Sequence, residues 1–172
     1  MTDTGRHYEI AFEAYLKSTD LAYVPLSQIR KAILHGQKLK SFDYIIHNDR
    51  GNALLVDIKG RKLDINSFNK GRPGQNWVTI EDVTSMLSWQ ENFGLGHDSV
   101  FVFAYWLYNY HKPTMEKNNE IFHHNGRYYW LVGIYVVDYN TVMKPRSTQW
   151  NTVSLPQKKF RLLSKPFINM TI

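Results

Sequence analysis

No stretch of the chain restricts its folding more than Ala53-Leu54-Leu55-Val56-Asp57-Ile58-Lys59. It is apolar enough to lie inside a sheet, yet it ends on two charges at alternate positions. Side chains on a strand alternate faces. Leu54, Val56 and Ile58 therefore share one face, and Ala53, Leu55, Asp57 and Lys59 the other. Residues 42–47 alternate in the same way, with Phe42, Tyr44 and Ile46 on one face and Asp43, Ile45 and His47 on the other. The polar segment Asn48–Asn52, containing Gly51, joins the two as a hairpin loop. A hairpin centred on Arg50 sets residue 43 opposite 57 and 45 opposite 55, with apolar faces together and carboxylates side by side. A slip of one residue would destroy that match.

Opposed positions place Cβ atoms roughly 4.5–5.5 Å apart. Two carboxylates about 5 Å apart repel by about 3 kcal/mol at an effective dielectric constant of about 20, so a fold keeps them only for a compensating gain. Lys59 supplies one positive charge, and a divalent cation would supply two more. Mg²⁺ favours one or two carboxylates together with waters and substrate phosphate, so the pattern describes an open Mg²⁺ site and not a closed structural cage. An Asp-x-Lys triplet alone also describes a surface ion pair; its place at the end of a buried run gives it weight.

A third acid comes from the N-terminal helix expected over 6–17, where Tyr8, Ala11, Phe12, Tyr15 and Leu16 form one apolar stripe. With Tyr8 at 0° and about 100° per residue, Glu9 falls near the edge of that stripe and Glu13 roughly 40° further out. Glu9 is thus the acid that a packed helix can aim at the charged face. Further along, an extended piece is expected at Ala22–Val24, and a second helix opened by Pro25 and running to about Leu34, with His35-Gly36 as its stop. Residues 60–78 read as an irregular excursion. Thr79 reads as an N-cap, with Asp82 three residues on, for a helix to about Phe93 before Gly94. Val100–Tyr108 is a buried strand, 111–119 a polar loop, 120–138 a hairpin around Asn125-Gly126, and the tail from 141 mixed strand and loop. The order describes a single α/β domain over 1–172, with a core at about 5–108 and a β-rich C-terminal extension at about 110–172.

The chain carries a net charge of +6 with 21 Lys and Arg against 15 Asp and Glu, which favours polyanionic partners. Aromatic residues make up 15% of it, enough for some rings to lie at the surface and stack on bases. There is no cysteine, which removes disulfides, thiolate zinc sites and cysteine nucleophiles and fits a reducing cytoplasm. Met1–Arg6 carries no apolar signal segment, and Val100–Tyr108 is too short to span a bilayer. A soluble cytoplasmic protein is expected.

Three segments in this order carry a resemblance: Gly5-Arg6-His7-Tyr8-Glu9 leading to Ala11 and Tyr15-Leu16, then Ser41-Phe42-Asp43-Tyr44-Ile45-Ile46, then Leu54-Leu55-Val56-Asp57-Ile58-Lys59-Gly60-Arg61. Together they resemble the PD-(D/E)XK nucleases, especially the compact Holliday-junction-resolvase-like and YraN-like members. Phe42 stands where the family name has proline, and the part beyond about 110 does not map onto the minimal core. The resemblance implies a restriction-endonuclease-like αβββαβ core with a mixed central sheet flanked by helices. It also implies Mg²⁺- or Mn²⁺-dependent hydrolysis of phosphodiester bonds, in DNA above all, with a homodimer left open. Asp43, Asp57, the Ile58 carbonyl and Glu9 would bind the metal. Lys59 would position the attacking water, help to deprotonate it and stabilise the developing phosphorane charge.

Candidate contacts to nucleic acid are Arg61 and Lys62 beside the triplet, Lys70, Arg72 and Trp77 in the excursion, and His47 on the charged face. Each also has a plainer reading, as a solvated charge, a strand-end histidine or a tryptophan anchoring the next helix. His123 and His124, adjacent on a strand, cannot face one metal. No phosphate-binding Gly-rich loop, G-x-S-x-G elbow or H-E-x-x-H helix is present. Two rivals to a nuclease remain open: a catalytically inactive nucleic-acid-binding module of the same fold, and a protein-interaction domain.

Overall fold

A computed structural model describes residues 5–26, 32–34, 36–72, 74–110 and 121–172. The chain opens with helix α1 (Arg6–Ser18), strand β1 (Tyr23–Pro25) and the short pair β2 (Ala32–Leu34) and β3 (Gln37–Leu39). Next come β4 (Tyr44–His47), β5 (Ala53–Asp64), α2 (Ile65–Asn69), β6 (Val78–Thr79), α3 (Ile80–Phe93) and β7 (His97–Tyr108). The remainder comprises β8 (Ile121–His124), β9 (Arg127–Tyr135), α4 (Val136–Val142), β10 (Lys144–Ser147), β11 (Thr152–Ser154), α5 (Gln157–Leu163), β12 (Lys165–Pro166) and a 3₁₀ turn, Phe167–Met170.

A seven-stranded mixed sheet runs in the order β1-β4-β5-β7-β9-β12, with β8 attached to β9. The β4–β5 hairpin has the expected register, Tyr44 opposite Val56 and Ile45 opposite Leu55. β5 and β7 are parallel over their whole length, Ala53 beside His97 through Asp64 beside Tyr108. Helices cover both faces. α1 and the 3₁₀ turn pack Tyr8, Ala11, Phe12, Leu16, Phe167 and Met170 onto Leu54, Val56, Val100 and Val102. α3, α4 and α5 pack Val83, Met86, Tyr139 and Phe160 onto Leu55, Phe101, Phe103, Val132 and Ile134. Strands covered on both faces are apolar at nearly every position, as β7 is from Val100 to Tyr105.

Several expectations give way to tertiary structure. Ala32–Leu34 is not helical but pairs antiparallel with Gln37–Leu39 around Gly36, whose φ of 79° suits a tight turn. Residues 27–31 and 35 of the expected second helix and its stop lie outside the described residues, as does the expected loop at 111–119. Pro25 closes β1 at the sheet edge, where its missing N–H costs no ladder bond. Phe42 precedes β4 and does not share the face of Tyr44 and Ile46; it is buried in the α3-side core, 5.6 Å from the Trp89 ring. The excursion at 60–78 is more ordered than expected, since β5 continues to Asp64, whose carboxylate caps α2. The end of the expected 120–138 hairpin is instead the start of α4, the tail from 141 contains α5 besides strands, and β9 lies against β7 in the main sheet.

Candidate active site

The site forms where β4 and β5 part. β4 leads in at Asp43, whose N–H donates to the Val56 carbonyl at 2.9 Å. Beyond that point the main chain on the β4 side turns away, and β5 carries β7 on one edge only. The N–H of Ile58 then donates to Oδ2 of Asp43 at 2.7 Å, a side chain taking the place of a strand carbonyl. The N–H and C=O of one strand residue point to the same edge, so the Ile58 carbonyl also faces this gap.

Asp57 and Lys59 lie on the α3 side of β5, with the Lys59 ammonium 2.7 Å from Asp57 Oδ2 and 3.1 Å from Asp82 Oδ2. Both β5 side chains are largely buried, at 14% and 17% exposure. Glu9 approaches from the other side, on α1. Its approach depends on Gly60, where a Cβ would sit 2.2 Å from the Tyr8 ring. Without a side chain there, α1 lies directly on β5 and brings Glu9 to the open edge. His7, at the start of the same helix, is tied by Nδ1 to the Tyr129 hydroxyl at 2.9 Å. Glu9, Asp43, Asp57 and Ile58 thereby line a single cavity of about 340 Å³ together with Lys40, Ser41 and Asp82.

Lys40 and Asp82 are absent from the residues expected at the site. Asp82 is the third residue of α3, and its carboxylate accepts from the Thr79 N–H at 2.9 Å while Thr79 Oγ1 accepts from the Asp82 N–H at 3.1 Å. This is the capping box that Thr79-x-x-Asp82 predicts. The same carboxylate lies 3.0 Å from the Lys40 ammonium. A signal for Asp82 exists in the chain: it lies among Val83, Ser85 and Met86 on the buried side of α3, where a charge requires a partner. Lys40 carries no comparable mark in the sequence.

The charges respond unequally to burial. Asp57 is pushed up to about 7 by desolvation, only partly countered by Lys59 and reinforced by Asp43 and Asp82. Burial alone would raise Asp82 too, but Lys59, the Thr79 N–H and Lys40 bring it down to about 2. Burial would lower the Lys59 amine, yet Asp57 and Asp82 together hold it above the ordinary lysine value. The cavity is therefore acidic, and burial together with neighbouring carboxylates raises Asp57 despite the adjoining Lys59.

Among the described residues no three His, Cys, Asp or Glu side chains form a ready-made metal cage. The donors that line the gap are hard oxygens, the carboxylates of Glu9, Asp43, Asp57 and Asp82, with the Ile58 carbonyl on the same edge. They fit a cation that completes its shell with water and phosphate, not a closed structural ion.

The other candidates scatter. Arg61 is turned away from the cavity, donating to the carbonyls of Gly60 and Trp77 and lying 4.1 Å from the Trp77 ring. Trp77 also has Arg146 at 5.2 Å, so cations already occupy its surroundings. His47 pairs with Ala53 at the far end of the hairpin, four residues or roughly 13 Å from Asp43. Lys70 and Arg72 are exposed beyond α2. Lys62 lies 4.9 Å from the Trp106 ring, with Arg127 5.0 Å from the same ring, and lines a separate cleft of about 690 Å³ with Tyr108, Tyr110 and Tyr128.

No family model matches the chain. No curated protein matches it by sequence. Among solved structures, a Holliday junction resolvase, Hjc, from the archaeal hyperthermophile Archaeoglobus fulgidus superposes with a TM-score of 0.56 at 10% identity. The match covers 98% of this chain and 100% of the resolvase. The chain thus has the resolvase-type, restriction-endonuclease-like fold that its three motif segments resemble.

Proposed function

We propose that the protein is a divalent-metal-dependent nuclease that hydrolyses phosphodiester bonds in DNA. One observation carries this reading: Glu9, Asp43, Asp57 and Ile58 line one cavity at the open edge of β5, with Lys59 beside Asp57. The likeness in fold to a Holliday junction resolvase supports it. The main chain between Asp57 and Lys59 is strand, so the site is built on a rigid element, as positional chemistry requires.

Glu9, Asp43, Asp57 and the Ile58 carbonyl are the groups that would hold Mg²⁺ or Mn²⁺. Such an ion neutralises phosphate oxygens and makes water more acidic. Lys59 orients the water by hydrogen bonding and offsets charge that develops on the phosphoryl oxygens. Hydrolysis places the water oxygen on phosphorus, breaks one P–O bond to the sugar and leaves the proton on the departing sugar oxygen. Lys62, further along β5, and Arg127, both beside Trp106, would supply cations for the DNA backbone.

The test is cleavage of end-labelled duplex, single-stranded and four-way-junction DNA in Mg²⁺, Mn²⁺ or EDTA. Cutting of at least one substrate with metal, none in EDTA, and none by Asp57→Ala or Lys59→Ala is expected. Cutting by Asp57→Ala at the wild-type rate would end this assignment.

A further inference from the structure

We propose that Asp82 is a positioning residue that sets the Lys59 ammonium for reaction and holds Lys40 at the cavity mouth as a second cation facing substrate phosphate. The proposal rests on the nuclease reading of the cavity and goes beyond its four predicted residues.

The carboxylate of Asp82 does more than cap a helix. A capping box needs one hydrogen bond from this side chain, accepted from the Thr79 N–H. Here Oδ2 also lies 3.1 Å from Lys59, and Oδ1 lies 3.0 Å from Lys40. One anion fixed to a helix end thus bridges two lysines from different parts of the chain. Lys40 is bound to α3 at every polar group: its N–H donates to Ser85 Oγ at 3.1 Å, and its carbonyl accepts from Trp89 Nε1 at 2.8 Å. Its ammonium also donates to Thr79 Oγ1 at 3.1 Å and lies 3.5 Å from Glu81. Even so, the Lys40 side chain keeps 33% exposure and lines the cavity, so it meets incoming substrate.

The arrangement solves a conflict at Asp57. A lysine is a flexible stem with a freely rotating donor head. Asp57 is the nearest partner of Lys59, but a carboxylate that turns to a cation releases its lysine in part. Asp82, anchored by the Thr79 N–H and already paired with Lys40, keeps Lys59 in place when Asp57 is engaged.

The experiment uses the full chain, free of metal, under limiting acetic anhydride, with acetylation of Lys59 and Lys40 read by peptide mass spectrometry. Asp82→Asn preserves the shape of the cap and removes the charge. It is expected to raise Lys59 labelling by about tenfold or more, tenfold being near the lower end of what a charge-assisted hydrogen bond represents. Thr79→Ala, which weakens the cap and keeps the charge, is expected to leave Lys59 labelling unchanged. Should Asp82→Asn fail to fold, Asp82→Glu retains the capping box, displaces the carboxylate by one methylene and is expected to raise labelling less. In cleavage assays Asp82→Asn lowers kcat, whereas Lys40→Met raises KM. Equal Lys59 labelling in wild type and the Asp82 variants, or an equal rise in Thr79→Ala, would overturn the proposal. A wild-type protein that cuts no DNA would refute the nuclease reading instead, and the labelling would still decide whether Asp82 holds the two lysines.

Discussion

Asp57 and Asp82 touch the same ammonium group and lie at opposite ends of the carboxylate range. Burial dominates the first; in the second it is outweighed by the Lys59 charge together with hydrogen bonds from the Thr79 N–H and Lys40. The signs then oppose in stability. Asp57, raised in the folded state, contributes stability below about pH 4 that is lost as pH rises through about 7. Asp82, depressed when folded, contributes stability above about pH 4 that is lost as pH falls through about 2. The carboxyl proposed to hold the metal is therefore a burden on the metal-free fold. Asp57→Asn is expected to abolish cleavage yet stabilise the metal-free protein at pH 8 by on the order of 1 kcal/mol, or roughly 2–4 °C in Tm. Melting curves in EDTA at pH 5 and pH 8 check this, the gain being smaller at pH 5. An equal or lower melting temperature of Asp57→Asn at pH 8 would show that Lys59 already compensates the buried charge.

Among elements, the close approach of α1 and β5 decides whether Glu9 reaches the gap. Gly60 is the point where β5 meets Tyr8, so Gly60→Ala is expected to push the helix outward. Overpacking of this kind costs roughly 1–3 kcal/mol, and cleavage should fall further than the lower stability explains. Denaturant unfolding and kcat measured on the same variant separate the two effects. Much at this scale is legible in the chain. The period-2 alternation sets the β4–β5 register, and local cap chemistry marks both ends of α3, because such signals need no knowledge of distant residues. The helix expected to run to about Leu34 gives way over 32–34, where pairing with 37–39 overrides the local signals of Pro25 and Gly36. α4 and α5 are seven residues each, too short for periodicity to register. From the sequence Asp82 reads as a cap whose place among the buried positions of α3 calls for a partner, and Lys40 as nothing in particular; that the partners are Lys59 and Lys40 emerges only once α3 is packed on β5.

At the scale of the molecule, a net charge of +6 coexists with an acidic cavity, so positive charge lies elsewhere; on the proposed function it is there that the nucleic-acid backbone would be held. Lys62 and Arg127 flank Trp106 in the cleft beyond β5. Their joint substitution by alanine is expected to weaken DNA binding and to flatten the slope of log K against log salt by about 2, near 0.9 for each phosphate no longer neutralised. Fluorescence anisotropy over a salt series measures it. An unchanged slope would place the backbone on another surface. The sheet order and the helices on both faces match a resolvase-type fold over nearly the full chain, and β9, read from the sequence as part of an extension, completes the main sheet beside β7.

The proposal that Glu9, Asp43 and Asp57 hold one divalent ion is tested most directly by titrating Mn²⁺ into the DNA-free protein in a calorimeter. Saturable binding at the cavity that disappears in Asp57→Asn and weakens in Glu9→Gln is the expected result. No heat of binding in the wild type, or the same isotherm in Asp57→Asn, would contradict it.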